Sequence, residues 1–206
     1  MGQTGRIEGL SSKKGAARDY VIQDGRDVWI FGYGSLMWNP GFDYAERRVG
    51  LLRGYHRSFC LYSHRYRGTP ERPGLVLGLD RGGCCRGVVF RIGAAHAKDV
   101  RDYLWEREMN QDSYQARAVA IETDQGPVEA MAFIVRREHP QYAGKLPTET
   151  LIKCVIQGSG GRGTCREYLA NTVEHLDALG LTDGPLHALL RLVDQRCASA
   201  NALLKP

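Results

Sequence analysis

Four stretches in the first half of the chain gather β-branched, aromatic and leucine side chains between breaks of glycine, proline and charge, near 27–32, 50–63, 74–80 and 85–92. Such runs predict strands. The period then changes. A helix is predicted over 95–108, and after it 116–122 and 128–136 read as two strands of a hairpin through Thr123-Asp124-Gln125-Gly126-Pro127. Beyond residue 147 the spacing is helical. Leu151, Ile152, Val155 and Ile156 follow Pro147 within 148–157, Leu169, Val173 and Leu176 mark 164–179, which stops at Gly180, and Pro185 opens a last helix through Leu189, Leu190 and Val193. Strands first and helices later predict an α+β fold with a helical C-terminal part, not a doubly wound parallel sheet.

The sharpest break in the pattern is Val28-Trp29-Ile30-Phe31-Gly32-Tyr33-Gly34-Ser35-Leu36-Met37-Trp38, where a strand runs into a loop with two glycines around one tyrosine. Gly32 and Gly34 permit backbone angles and close approaches that a side chain blocks. The amides of Tyr33 to Leu36, at the end of a strand through Ile30 and Phe31, are thus able to cradle an anionic or zwitterionic small molecule. On these residues alone a plain tight turn closed by aromatics stays open. A second chemical element ends the 95–108 helix. Val100, Leu104 and Glu108 fall at i, i+4 and i+8 and share a face, whereas Glu106 lies about 200° around the axis, toward solvent. Burial and the negative end of the helix dipole both raise the pKa of Glu108, and Arg107 opposes them if it turns inward. A raised carboxyl suits proton transfer near neutral pH. The alternative is a helix-end glutamate paired with Arg107 or Arg117 at the surface.

Composition narrows the picture modestly. A chain of 206 residues suffices for one domain with a real core. Arg6, Lys13, Lys14 and Arg18 against Glu8 give residues 1–18 a net +3 of the chain's +5, which leaves too little charge on the remainder to argue for nucleic acid. That segment reads as a disordered basic tail, neither signal peptide nor membrane span, ahead of one catalytic domain over 27–204. Cys60, Cys84, Cys85, Cys154, Cys165 and Cys197 show no paired metal spacing, and His96, His139, His175 and His187 complete none. Reduced thiols in a cytoplasmic protein without metal or cofactor are expected. Oligomeric state is left open.

Rival motifs fail on particular residues. Ser35 lacks the second glycine of a hydrolase elbow, Met37 stands where a dinucleotide loop needs its third glycine, and no Lys-Ser/Thr pair follows the glycines of 158–164. That last stretch reads as a mobile connection bordering the pocket. Arg65, Arg67, Arg72 and Arg86 lack the interleaved aromatic pattern of an RNA-binding surface.

Tyr33-Gly34-Ser35-Leu36 and Arg107-Glu108 with Tyr114, supported by Arg67-Gly68-Thr69-Pro70, Pro73-Gly74, Tyr142-Ala143-Gly144 and Gly163 with Glu167-Tyr168-Leu169, resemble the ChaC family of glutathione-specific γ-glutamylcyclotransferases. The resemblance spans roughly residues 27 to 180. Asn110-Gln111-Asp112-Ser113 departs from relatives that carry a glycine pair there. The resemblance implies a small mixed β-barrel flanked by helices, with Glu108 as acid and base. It also implies a substrate site over Ile30, Phe31, Gly32, Tyr33, Gly34, Ser35 and Leu36, with Arg67 for the glycine carboxylate and Tyr142 nearby. Glutathione would be cleaved to 5-oxoproline and Cys-Gly, with no nucleic-acid or membrane partner. Cyclotransferases for other γ-glutamyl amino acids or amines, and a non-catalytic γ-glutamyl-binding module, remain the alternatives.

Overall fold

The structure is a computed structural model that describes residues 18–19, 25–108 and 112–203. The predicted tail therefore lies outside the described residues except for Arg18, as do Asn110 and Gln111. The elements run β1 (Arg18–Asp19), β2 (Val28–Gly32), β3 (Glu46–Ser63), β4 (Gly74–Ile92), α1 (Ala94–Glu108), β5 (Tyr114–Thr123), β6 (Val128–Val135), α2 (Thr148–Gln157), β7 (Ser159–Gly160), β8 (Gly163–Thr164), α3 (Cys165–Ala178) and α4 (Gly184–Leu203). A single 3₁₀ turn, Ser35–Met37, follows β2.

Strands β5, β3, β4, β2 and β6 pair in that order, and β6 returns to pair with β5, so the sheet closes into a five-stranded barrel with β1 added beside β5. Most neighbours are antiparallel, but β6 runs parallel to β2 at Trp29↔Ala130 and to β4 at Leu79↔Ile134. The barrel is thus mixed, and closure removes the open edges that a five-stranded sheet would otherwise present. Phe31, Phe90, Phe133, Ile30, Leu52, Ile121 and Met131 are fully buried among its core residues.

The segments 74–80 and 85–92, expected as separate strands, are one strand. Gly82 and Gly83, at φ 99° and 69°, and Gly54 across from them, at φ 85°, absorb a change of register between Arg53↔Cys84 and Tyr55↔Arg81. Glycine takes those angles without a Cβ clash, so the ladder bends there and does not break. β3 likewise starts four residues earlier than expected, at Glu46. A second irregularity, between Phe59 and Leu61, frees the Cys60 carbonyl to accept the amide of Ala143 at 2.8 Å. With Tyr62 N–H donating to Gln141 at 2.9 Å, this draws the 139–143 loop onto the barrel rim.

The helices pack outside the barrel. Thr164 caps α3 in a reciprocal box with Glu167. The helix ends on Gly180, at φ 66°, with its amide on Asp177 and that of Leu181 on Leu176. α1 buries Ala97, Val100 and Leu104. Val100 and Leu104 are each worth about 1.5–3 kcal/mol when withdrawn from water, enough to fix the rotation of the helix and hence the direction of Glu108 one turn further on.

Candidate active site

A cavity of about 650 Å³ opens between the loop after β2, the end of α1, the rim of the barrel and α3. Ser35, Trp38 and Asn39 line it from the loop, Arg107 and Glu108 from α1, Ser113 and Tyr114 from the start of β5, Leu61 to Ser63 and Val76 from β3 and β4, Tyr66 and Arg67 from the connection between them, and Tyr168 from α3.

Glu108 is only 20 % exposed and pairs with Arg107 Nε at 3.1 Å. Burial pushes its carboxyl up from the ordinary range, while the charges of Arg107 and Arg162 and the Arg107 hydrogen bond pull against that rise. The pair thus exists, but in a cavity wall and not on the open surface. Arg107 is held on every side. Its Nη1 donates to the carbonyls of Asn39 (2.9 Å) and Pro40 (3.2 Å) and to the Tyr103 hydroxyl (2.9 Å), and its Nη2 donates to Ser35 Oγ at 3.0 Å. One guanidinium therefore ties the helix end to the loop after β2. Because Ser35 Oγ accepts from Arg107, the serine proton is available to donate into the cavity.

Two phenols complete the inner wall. Tyr114 donates its hydroxyl to the Leu77 carbonyl at 2.7 Å. Burial first, then neighbouring ionisable groups including Glu108, holds Tyr114 and Tyr168 far above the normal phenol range, so both remain neutral donors. Tyr33, also buried, is raised by the same two causes. Arg67 stacks on the Tyr168 ring with its guanidinium carbon 5.1 Å from the centroid, and Nη1 donates to Thr164 O at 3.2 Å. No carboxylate pairs with it among the described residues.

Of the residues expected at the site, Glu108, Ser35 and Arg67 line the cavity. Ile30 and Phe31 are buried in the barrel instead, so their part is to carry the loop and not to touch a ligand. Gly32 and Gly34 have negative φ, and what requires glycine there is crowding. A Cβ on Gly32 would meet Leu36 at 3.1 Å, and one on Gly34 would meet the Tyr168 hydroxyl at 3.2 Å. Tyr33 and Leu36 are likewise buried. Tyr142 does not reach the cavity: its hydroxyl donates to Asp80 at 2.7 Å, and its neighbour Gln141 takes the lining position. The 158–164 stretch, expected as a mobile connection, is a two-stranded hairpin. The amides of Gly161 and Arg162 donate to Arg65 and Tyr66, each at 2.9 Å, which brings Arg162 into the lining, stacked 4.3 Å over the Tyr66 ring. Glu106 is exposed at the cavity mouth. Among the described residues no three His, Cys, Asp or Glu side chains stand together as a metal site. No helix among them is long and apolar enough to cross a membrane.

The sequence and its closed mixed barrel are matched by known proteins. The family model for ChaC-like protein matches residues 28–196. A glutathione-specific γ-glutamylcyclotransferase of Escherichia coli (strain K12) is 36% identical over 182 residues, covering 87% of this chain and 79% of its own. Mouse glutathione-specific γ-glutamylcyclotransferase 1 is 33% identical over 162 residues, 76% of this chain and 73% of its own. In structure, a γ-glutamyl cyclotransferase specific to glutathione from yeast superposes with a TM-score of 0.75 at 24% identity, covering 82% of this chain and 96% of that one. The chain belongs to the ChaC-like family.

Proposed function

We propose that the protein is a glutathione-specific γ-glutamylcyclotransferase that releases 5-oxoproline and Cys-Gly from glutathione by an intramolecular, lyase-type cyclisation. The observation that carries this reading is Glu108, a carboxyl raised by burial in a cavity shared with Ser35 and Arg67. The relatives' names supply the substrate.

The γ-glutamyl α-ammonium gives a proton to Glu108, and the free amine attacks the side-chain carbonyl carbon to form the new C–N bond of a five-membered ring. Glu108 returns that proton to the departing cysteinyl nitrogen as the old amide bond breaks, and the ring nitrogen gives up its second proton, carried by the same carboxylate to the released amine, which leaves as the ammonium of Cys-Gly. Nothing is oxidised, and no water or external nucleophile is consumed. Holding amine and carbonyl in one folded geometry supplies the entropic advantage of an intramolecular reaction. Amides of the loop after β2 meet the oxyanion, Ser35 donates to the γ-glutamyl carboxylate, and Arg67 faces the glycine carboxylate. A cytoplasmic location fits six free cysteines, which a reducing compartment keeps as thiols. A non-catalytic module is disfavoured because a carboxylate that merely paired the ligand's ammonium would be served by a lowered pKa, whereas burial raises that of Glu108.

The test is a product assay on glutathione and on γ-glutamyl dipeptides, with 5-oxoproline and Cys-Gly both quantified, with and without chelator. Equal release of the two products from glutathione, unaffected by chelator, is expected. Absence of 5-oxoproline overturns the reading, and activity lost to chelator and restored by zinc overturns the cofactor-free mechanism.

A further inference from the structure

Arg57, on β3, is a cation that the chemistry above does not use. Its side chain is 2 % exposed and does not line the cavity. Its guanidinium nevertheless grips the substrate loop from behind. Nε donates to the carbonyl of Tyr33, Nη2 donates to the carbonyl of Arg86 at 2.6 Å and lies 3.8 Å from Met37 Sδ, and Nη1 pairs with Asp183 Oδ2 at 2.7 Å. Asp183 is itself anchored, since its other oxygen accepts the Leu186 amide of α4 at 3.3 Å. The planar fork is thus held by β3, β4 and α4 before it meets the loop, and it has little freedom to move away.

The carbonyl it meets belongs to the same peptide group as the amide of Gly34. That peptide is trans, because no cis bond occurs among the described residues, so the Gly34 N–H points away from Arg57. Gly34 is not itself a lining residue but sits between two that are, next to Ser35 in the chain and with a Cβ position 3.2 Å from the hydroxyl of Tyr168. A positive charge on the carbonyl draws electron density through the peptide and strengthens the N–H as a donor, the cooperative effect of chained hydrogen bonds in a low-dielectric interior. We propose that Arg57 is a positioning residue that fixes and polarises the Tyr33–Gly34 peptide, so that the Gly34 amide stabilises the negative charge developing on the γ-glutamyl carbonyl oxygen. This inference rests on the cyclotransferase reading. It adds a group that acts without touching substrate.

Arg57→Lys retains the buried charge but loses the fork, so one ammonium cannot serve Tyr33, Arg86 and Asp183 together. Deleting a single oxyanion donor costs about 10²–10³ in kcat, and weakening one should cost less, about 10- to 100-fold, with KM within about threefold. The second reading is spectroscopic and independent of activity: the Gly34 amide nitrogen resonance should move upfield in Arg57→Lys as its peptide is depolarised. Arg57→Gln, which keeps one planar donor in an uncharged side chain, gives the same two readings if the lysine variant does not fold. Asp183→Asn keeps an acceptor for Arg57 and should leave kcat within about threefold and the resonance nearly in place, which separates the loop contact from the tether to α4. Unchanged kcat, a loss confined to KM, or an unmoved Gly34 resonance in Arg57→Lys overturns the proposal. If the wild-type protein releases no 5-oxoproline, the functional reading falls, while the resonance still decides whether Arg57 polarises this peptide.

Discussion

Replacing Glu108 by glutamine separates proton transfer from charge pairing, because the two roles predict effects of different sign on rate and stability. The amide keeps the size of the side chain and still accepts from Arg107 Nε, 3.1 Å from the carboxylate. It cannot take a proton from the substrate ammonium. One general acid–base group contributes about 10²–10⁴ in rate, equivalent to about 3–5 kcal/mol of barrier. Since both proton transfers run through this carboxylate, the fall in turnover belongs in the upper part of that range. Stability moves the other way. Burial raises the folded-state pKa of Glu108 above its unfolded value, so the native chain holds this proton more tightly than the unfolded chain does. The stabilisation is complete below the unfolded pKa and is lost as pH rises through the folded one. Above that window the charged carboxylate costs about 1.4 kcal/mol for each unit of the rise, a cost that glutamine escapes. Glu108→Gln should therefore melt above wild type at neutral pH, and the difference should shrink as pH falls toward about 4. The assay pairs 5-oxoproline release with thermal unfolding across that range, and exposed Glu106→Gln, expected to stay within a few-fold of normal turnover, is the control. Near-normal turnover, or slow turnover with a lower melting temperature at every pH, would show Glu108 to be a structural partner of Arg107 and refute the reasoning.

Arg67→Ala should raise KM for glutathione about 10- to 100-fold, the worth of one charge-assisted contact of about 1.5–3 kcal/mol, and should raise it far less for γ-glutamyl substrates without the glycine carboxylate. Equal rises would remove Arg67 from the distal site. Gly180→Ala puts a Cβ at φ 66°, where an L-residue costs about 1–2 kcal/mol, so denaturant unfolding should show that loss with kcat unchanged. Full stability in that variant would mean the α3 terminus relaxes into another geometry.

Helix boundaries were legible because their signals are local. The 148–157 helix matches its predicted bounds, and Thr164, Gly180 and the Val100–Leu104–Glu108 face rest on capping chemistry and periodicity that need no tertiary partner. What sequence reasoning misplaced depends on distant pairing. Gly82-Gly83 reads as a break until β3 is present across from it, with its own glycine bend at Gly54. Tyr142 is placed near the substrate by the family resemblance alone, and nothing local shows that the register irregularity around Cys60 draws its loop to the rim and that Asp80 takes its hydroxyl. Tyr168 was missed as a lining residue for the same reason, whereas Arg162 falls in the 158–164 stretch expected to border the pocket. Tyr168 carries a visible signal, since it lies on the inner face of a well-capped helix with Leu169 and Thr172, but the strand-end glycine it crowds is more than a hundred residues away. Arg57 carries no local signal, because a lone arginine in a strand reads as an exposed residue.

The parallel pairing of β2 with β6 has a consequence for timing. During synthesis β2 emerges before the other four barrel strands, meets β4 about sixty residues later, and waits for β6, whose Ala130 and Met131 pair with Trp29 and Ile30, for about a hundred. At about 5–20 residues per second that wait lasts about 5–20 s, and such long-range closure is slow even in the completed chain. Until it happens the loop carrying Ser35 hangs from a strand with an open edge, so a nascent chain has no assembled pocket. An interruption between residues 92 and 128 leaves that edge free to pair with another chain. The barrel that seats the loop thus makes the pocket one of the last features to form, and its assembly reports that the whole barrel is in place.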